Sequence, residues 1–291
     1  MKRIIPKGRL VIIGGAEDRN DNNLPEIIEK QSDFTRYDVL KQLLPNFRHK
    51  EITVLSIGSS LPIRSVKLYR KVFRKIGFHA TKFVMIKDKG EAKKIKFINR
   101  IQKTDVVYLS GGDQLKFSTV LAASPVMDEL LRRYYDDKNF ILGGTSAGAM
   151  AMSNIMIADG DVNEGLLKSE LQIYSGFGLL DNAIVDTHFI KRGRFGRLAQ
   201  GVITNPGQLG IGLGEDSALV ITKGQLCTTW GSGTVVIIDG WEIGQTNIAD
   251  AKEDCPVYAE RLIVHFLTRG CRFDLKRRVL SKPPIGHRQS K

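Results

Sequence analysis

Apolar positions in the first half of the chain come in short, nearly unbroken runs, each closed by small or turn-forming residues. Leu10-Val11-Ile12-Ile13 ends at Gly14-Gly15, Ile52 to Ile57 at Gly58, Val106 to Leu109 at Ser110-Gly111-Gly112, and Phe140 to Leu142 at Gly143-Gly144; Phe83 to Ile86 is a fifth run. Runs of this kind fit strands buried on both faces. Between them the period changes. Val66, Tyr69, Val72, Phe73 and Ile76 recur at the three-to-four spacing of an amphipathic helix, and Ala92, Ile95 and Ile98 do so more weakly. The alternation predicts an α/β fold, a mostly parallel sheet with helices on both faces. In such sheets ligands bind beyond the carboxyl ends of the strands. Gly14-Gly15, Gly58, Gly111-Gly112 and Ser146 all fall at that edge.

The last third has a different rhythm. Ala218 to Ile221, Leu226 to Trp230, Val235 to Ile238 and Leu262 to Leu267 are short apolar runs between glycine-containing turns, which predicts an antiparallel β extension from about residue 217. No Pro/Gly/Ser-rich linker and no repeat divides the chain. One domain over residues 1–275 is expected, followed by a basic, flexible tail over 276–291 that carries Lys276, Arg277, Arg278, Lys282, His287, Arg288 and Lys291.

Composition narrows the function classes. No apolar run approaches the roughly 20 residues of a membrane-spanning helix. The run after the basic opening Met1 to Arg9 is too short for a signal-peptide core. A cytoplasmic protein with no membrane partner is expected. Cys227, Cys255 and Cys271 are odd in number and far apart, which suits neither a disulfide framework nor a metal cluster. No metal and no cofactor are expected. Lys and Arg total 44 against 31 Asp and Glu, a net charge of +13. Much of the excess lies in the tail and on the polar face of the helix around Lys67 to Lys75. Without zinc-finger spacing or an aromatic-basic motif, it reads as solvated charge and not as a nucleic-acid surface.

The chemistry concentrates in Gly144-Thr145-Ser146-Ala147-Gly148. It fits G-x-S-x-G, a serine exposed on a sharp strand-to-helix turn whose small neighbours admit a substrate carbonyl. The bland alternative is a glycine-rich turn with a capping hydroxyl. A serine nucleophile needs a base. Of His49, His79, His188, His265 and His287, only His188 ends an apolar strand, in Ile184-Val185-Asp186-Thr187-His188, and Arg192, Arg194 and Arg197 follow it closely. His49 and His79 read as surface residues. The loop Gly212-Leu213-Gly214-Glu215-Asp216 offers two carboxylates, Glu215 or Asp216, to orient the imidazole. The Ala147 N–H and an N–H of the Ser110-Gly111-Gly112-Asp113-Gln114 loop, at Gly112, are the expected oxyanion donors.

Taken together, the elbow, the Ser110 to Gln114 loop, Asp186-Thr187-His188-Phe189 with its arginines, the Gly212 to Ala218 segment and the opening Gly14-Gly15-Ala16-Glu17-Asp18 resemble the cyanophycinase family from about residue 8 to residue 270. The resemblance implies a fold like flavodoxin and class I glutamine amidotransferases, and a homodimer. It also implies a serine exopeptidase that cuts cyanophycin, a poly-aspartate bearing arginine on each β-carboxyl, into β-Asp-Arg dipeptides. It makes Ser146 the nucleophile, His188 the base and Glu215 its orienting carboxylate. It sets Gln114, Asp186, Thr187, Arg192, Arg194 and Arg197 on the substrate. Where a member of that family carries glutamine between the Asp and the His, this chain has the shorter Thr187. Asp186 is expected to receive a guanidinium, and the arginines to bind carboxylates.

Two other readings stand beside it. One is an aspartyl dipeptidase, or another β-aspartyl peptide hydrolase, with the same triad. The other is a non-catalytic nucleotide or nucleic-acid binder with Gly14-Gly15 as a phosphate loop, against which Glu17 and Asp18 would repel phosphate. A glutamine amidotransferase is disfavoured because the elbow carries serine and not cysteine.

Overall fold

A computed structural model describes residues 4–20, 35–46, 50–58, 61–160, 166–168 and 171–281. His49 and residues 282–291 of the expected tail lie outside the described residues. The five apolar runs form β1 (Arg9–Ile13), β2 (Glu51–Ile57), β3 (Ala80–Ile86), β4 (Val106–Leu109) and β5 (Ile141–Thr145). They lie parallel in the order β1-β5-β4-β2-β3. Alternate residues of one strand face two different cores. Leu10 and Ile12 join one hydrophobic cluster, Val11 and Ile13 the other. That two-sided burial is why these strands read as continuous apolar runs.

Helices cover both faces. Among the described residues, in chain order, they are α1 (Asp38–Lys41), α2 (Ile63–Ile76), α3 (Ile95–Lys103), α4 (Gln114–Leu121) and α5 (Pro125–Asp136), then α6 (Ala147–Met150) and α7 (Phe195–Thr204). Tyr69, Val72 and Phe73 of α2 pack with Val39 and Leu40 of α1 on the Val11 side. Ile101, Phe117 and Leu130 bring α3, α4 and α5 to the Leu10 side.

The remaining strands divide in a way the sequence did not announce. They are β6 (Ser153–Asp159), β7 (Gln172–Ser175), β8 (Leu180–Thr187), β9 (Leu209–Leu213), β10 (Ser217–Thr222), β11 (Leu226–Gly231), β12 (Val235–Asp239), β13 (Ile263–Leu267), β14 (Arg272–Asp274) and β15 (Val279–Ser281). Strands β10, β11, β14 and β15 extend the first sheet antiparallel from β1. Strands β12 and β13 are antiparallel too, but they pair onto β9 in a second sheet of order β13-β12-β9-β8-β6-β7. The second sheet shares a core with the first, through Met156, Val185, Ile211 and Val236. Strand β15 also takes residues 279–281, inside the expected tail, into a hairpin with β14.

The charge is placed as unevenly as the strands. Residues 63–103, which hold α2, the edge strand β3 and α3, carry fourteen Lys and Arg against only Asp88 and Glu91. Lys82 on β3 is exposed. Charge on an open sheet edge opposes edge-to-edge pairing with other chains. Among the described residues, no helix is long and apolar enough to cross a membrane.

Candidate active site

Strand register brings the expected site together. Ile13 of β1 pairs with Thr145 of β5, so Gly14 and Ser146 leave the first sheet side by side. Thr187 of β8 pairs with Leu213 of β9, so His188 and the Gly214-Glu215 turn leave the second sheet as neighbours. The two sheet edges meet at the loop after β1. Three successive carbonyls of that segment accept from the three site segments: Ile13 O from the Ser146 N–H at 3.0 Å, Gly14 O from the His188 N–H at 2.9 Å, and Gly15 O from the Asp216 N–H at 3.0 Å. Each donor has a left-handed φ, 52° at Ser146, 51° at His188 and 48° at Asp216. Such a conformation costs on the order of 1–3 kcal/mol at a residue other than glycine and persists only where the surroundings enforce it.

Ser146 stands between β5 and α6. The flanking glycines of its motif are demanded by packing. A Cβ on Gly144 would lie 2.7 Å from Gly148 O, and one on Gly148 would lie 2.6 Å from Leu109 O. The Ser146 Oγ is 3.1 Å from His188 Nε2. His188 Nδ1 is 2.7 Å from Glu215 Oε1. Lys191 Nζ, which sequence reasoning overlooked, holds the other carboxylate oxygen at 3.1 Å. Burial opposes ionisation of Glu215, but the hydrogen bonds from His188 and Lys191 outweigh it and keep the carboxyl below its ordinary value.

Gly15 gives the imidazole its space. It has φ +93°, and a Cβ built on it would land on the His188 ring at Nε2. Gly15→Ala is therefore expected to push the ring off Ser146 and lower kcat by roughly a hundredfold, since misplacement of a reacting group by about 1 Å costs that much. Steady-state kinetics beside a thermal melt checks this; a variant with unchanged kcat would refute it.

Glu215, not Asp216, faces His188. Asp216 is buried and turned away, accepting the Asp18 N–H at 2.9 Å and the Ser232 hydroxyl at 2.5 Å. Glu17 is a second buried carboxylate, which the sequence reading takes as part of the family-like opening and as a charge that would repel phosphate, with no structural role. It accepts from Thr145 Oγ1 at 2.8 Å and from Tyr108 Oη at 3.0 Å, tying the β1 loop under the elbow. Its signal in the sequence was an acidic pair one residue beyond a strand-ending glycine pair. These carboxylates are occupied by protein donors, and a Cβ on Gly14 would collide with the Gly214 carbonyl. The loop thus packs against protein where the phosphate-loop reading needs an anion.

The expected oxyanion segment lies beside the serine. A Cβ on Gly111 would sit 3.5 Å from Ser146 Cβ and 4.0 Å from its Oγ. Among the described residues no protein acceptor takes the N–H of Gly112 or of Ala147.

The expected substrate contacts divide. Gln114 begins α4 and donates to Ala158 O at 2.6 Å. Arg192 is exposed on the turn after His188. Arg194 donates to Thr187 O at 2.7 Å and to Asp186 Oδ1 at 3.1 Å, while its buried Nε has no partner. Asp186, Arg197 and Thr187 do not fit the expectation of substrate contact. Asp186 is 0% exposed and grips Arg197 through two hydrogen bonds of 2.6 Å. Thr187 is buried with its hydroxyl on Met150 Sδ. The reason is pairing within the chain: Asp186 has its guanidinium partners eight and eleven residues on, so none is needed from a ligand. Asp186→Ala leaves Arg197 as an uncompensated buried charge and should cost about 3–5 kcal/mol of stability. Denaturant unfolding checks this, and a loss under about 1 kcal/mol would contradict it.

Comparison with known proteins follows the same line. The model of peptidase family S51 matches residues 64–229. The cyanophycinase of Trichormus variabilis is 32% identical over 284 residues, covering 98% of this chain and 90% of its own. That of Synechococcus elongatus is 30% identical over 276 residues, covering 93% and 80%. Among solved structures, a peptidase from an acI-B1 Actinobacterium has a TM-score of 0.63 at 20% identity, covering 94% of this chain and 98% of that one.

Proposed function

The chain belongs to peptidase family S51 and is a serine-type peptidase of the cyanophycinase-like kind, and on that premise we propose that it hydrolyses cyanophycin to β-Asp-Arg dipeptides with Ser146, His188 and Glu215 as its triad. The observation that carries this is the unbroken chain of short contacts, Ser146 Oγ to His188 Nε2 at 3.1 Å and His188 Nδ1 to Glu215 Oε1 at 2.7 Å.

Ser146 Oγ attacks the scissile aspartyl carbonyl carbon while its proton passes to His188 Nε2. The carbonyl π pair moves onto oxygen, and the Gly112 and Ala147 N–H groups receive the oxyanion. Glu215 balances the imidazolium charge. Collapse breaks the C–N bond, and His188 returns the proton to the leaving amine. Water then attacks the acyl-enzyme, giving its proton to His188, and Ser146 leaves with a proton as the acid is released. Arg192, exposed on the turn after His188, is a cation placed to meet the carboxylates of the substrate.

One observation favours a narrower recognition than the resemblance implies: Asp186 and Arg197 are paired with each other. A β-aspartyl peptide hydrolase acting on small substrates is the second reading. Incubation with purified cyanophycin and mass spectrometry of the products, beside turnover of aspartyl dipeptides, separates the two. β-Asp-Arg from the polymer supports the first. Turnover of dipeptides alone replaces it with the second. A homodimer working in the cytoplasm completes the proposal; light scattering that finds a monomer would remove the first of these.

A further inference from the structure

Asp216 takes no part in the steps above, yet it is a buried carboxylate joined by a peptide bond to Glu215. It is 3% exposed. Its N–H donates to Gly15 O. Its Oδ1 accepts the Asp18 N–H at 2.9 Å, and its Oδ2 accepts the Ser232 hydroxyl at 2.5 Å and the Ser232 N–H at 3.3 Å. These donors belong to the loop after β1 and the turn between β11 and β12. The charged group facing Asp216 is the Asp18 carboxylate, itself held by Arg36 and by the N–H groups of Asn20 and Tyr37. Among the described residues no cation touches Asp216.

Resting on the triad reading, we propose that Asp216 is a positioning residue: as a carboxylate it clips the β1 loop and the β11–β12 turn to the turn that carries Glu215, and so holds Glu215 on His188. All its side-chain hydrogen bonds are accepted ones, which a carboxylate supplies without rearrangement. A proton on Oδ2 puts a donor where the Ser232 hydroxyl and N–H both donate, and the clip loosens.

Two consequences follow that a merely structural carboxylate would not produce together. First, burial, opposed by the Ser232 and Asp18 donors and reinforced by the Asp18 charge, pushes the Asp216 carboxyl up to about 6. Asp216 must then lose its proton for the clip to hold, a requirement separate from that of the base. Second, the folded value lies above the unfolded one of about 3.9. Between roughly pH 4 and pH 6 the native state holds more protons than the unfolded state, so this group's contribution to stability falls as pH rises through that window and stays unfavourable above it. Asp216→Asn removes the buried charge. It should therefore melt no lower than the wild type near pH 8 while working more slowly.

The test is the rate at which a fluorophosphonate probe labels Ser146, and kcat/KM where a substrate is in hand, followed from about pH 5 to pH 8. Wild type is expected to lose rate below pH 6 more steeply than a protein without this carboxyl. Asp216→Asn is expected to lack that extra steepness, to run about tenfold slower near pH 8 and to keep an undiminished Tm. Ser232→Ala, which removes a donor that favours the charged form, should move the bend to higher pH. Both variants keeping the wild-type slope and bend would overturn the proposal. So would an Asp216→Asn protein whose rate and Tm fall together at every pH. A wild type that the probe never labels at Ser146 sinks the triad reading and this proposal with it. Labelling without cyanophycin hydrolysis sinks only the substrate assignment and leaves the pH comparison to decide.

Discussion

Ser146→Ala is expected to lower kcat for β-aspartyl-arginine chains on the order of a millionfold, the loss seen when a serine nucleophile is removed from a triad that acts as a unit. The fold should be indifferent. The exchange removes one hydroxyl and its 3.1 Å contact with His188. Alanine inherits the same left-handed backbone, φ 52°, at no added steric cost. The Ser146 N–H bond to Ile13 O, which holds the elbow, is a main-chain bond and survives. A Tm within a few degrees of wild type together with loss of dipeptide release is the expected pair of results. Full activity in the variant would end the proposal that this hydroxyl is the nucleophile. Residual turnover, roughly 10³–10⁴ above water, would be the share of the oxyanion donors and of binding.

The second large effect belongs to Glu215→Gln. A carboxylate only accepts, so its 2.7 Å contact obliges His188 Nδ1 to carry the ring proton and leaves Nε2 free to take one from Ser146. An amide of the same shape can present its NH2 to Nδ1 instead. That stabilises the other tautomer and blocks the base. The expected loss in kcat is about 10⁴-fold with little change in KM. Activity within tenfold of wild type would remove Glu215 from the triad. The depressed carboxyl value has its own sign. Because the folded value lies below the unfolded one of about 4.3, Glu215 adds stability above that pH and loses it as pH falls through the folded value. Protonation of Glu215 is thus not what shapes activity near neutrality.

Much of this was legible in the chain. The five parallel strands, the amphipathic α2 and the antiparallel runs after residue 217 all declared themselves by period. The elbow declared itself by its glycines, and His188 by a strand end rich in polar groups. What escaped was non-local. That β12 and β13 join β9 and not β11 depends on hydrogen bonding between segments whose apolar patterns are alike. Asp186 and its arginines looked like a ligand surface because spacing shows which charges are near in sequence and not whether they satisfy one another. Glu215 and Asp216 were equivalent as letters. They point in opposite directions because the Asp216 peptide is held at φ 48° on Gly15 O.

Hydrophobic period and glycine placement alone settled the α/β class, the strand edge at which chemistry gathers and the serine at its turn, because those signals arise from side-chain burial and steric room within a few residues. Only the tertiary structure decided which carboxylate meets the imidazole, which arginines are spent inside the protein, and that one loop after β1 holds all three site segments. Those outcomes depend on hydrogen bonds between residues as far apart as Asp18 and Asp216, and no local pattern encodes the register in which two sheet edges meet.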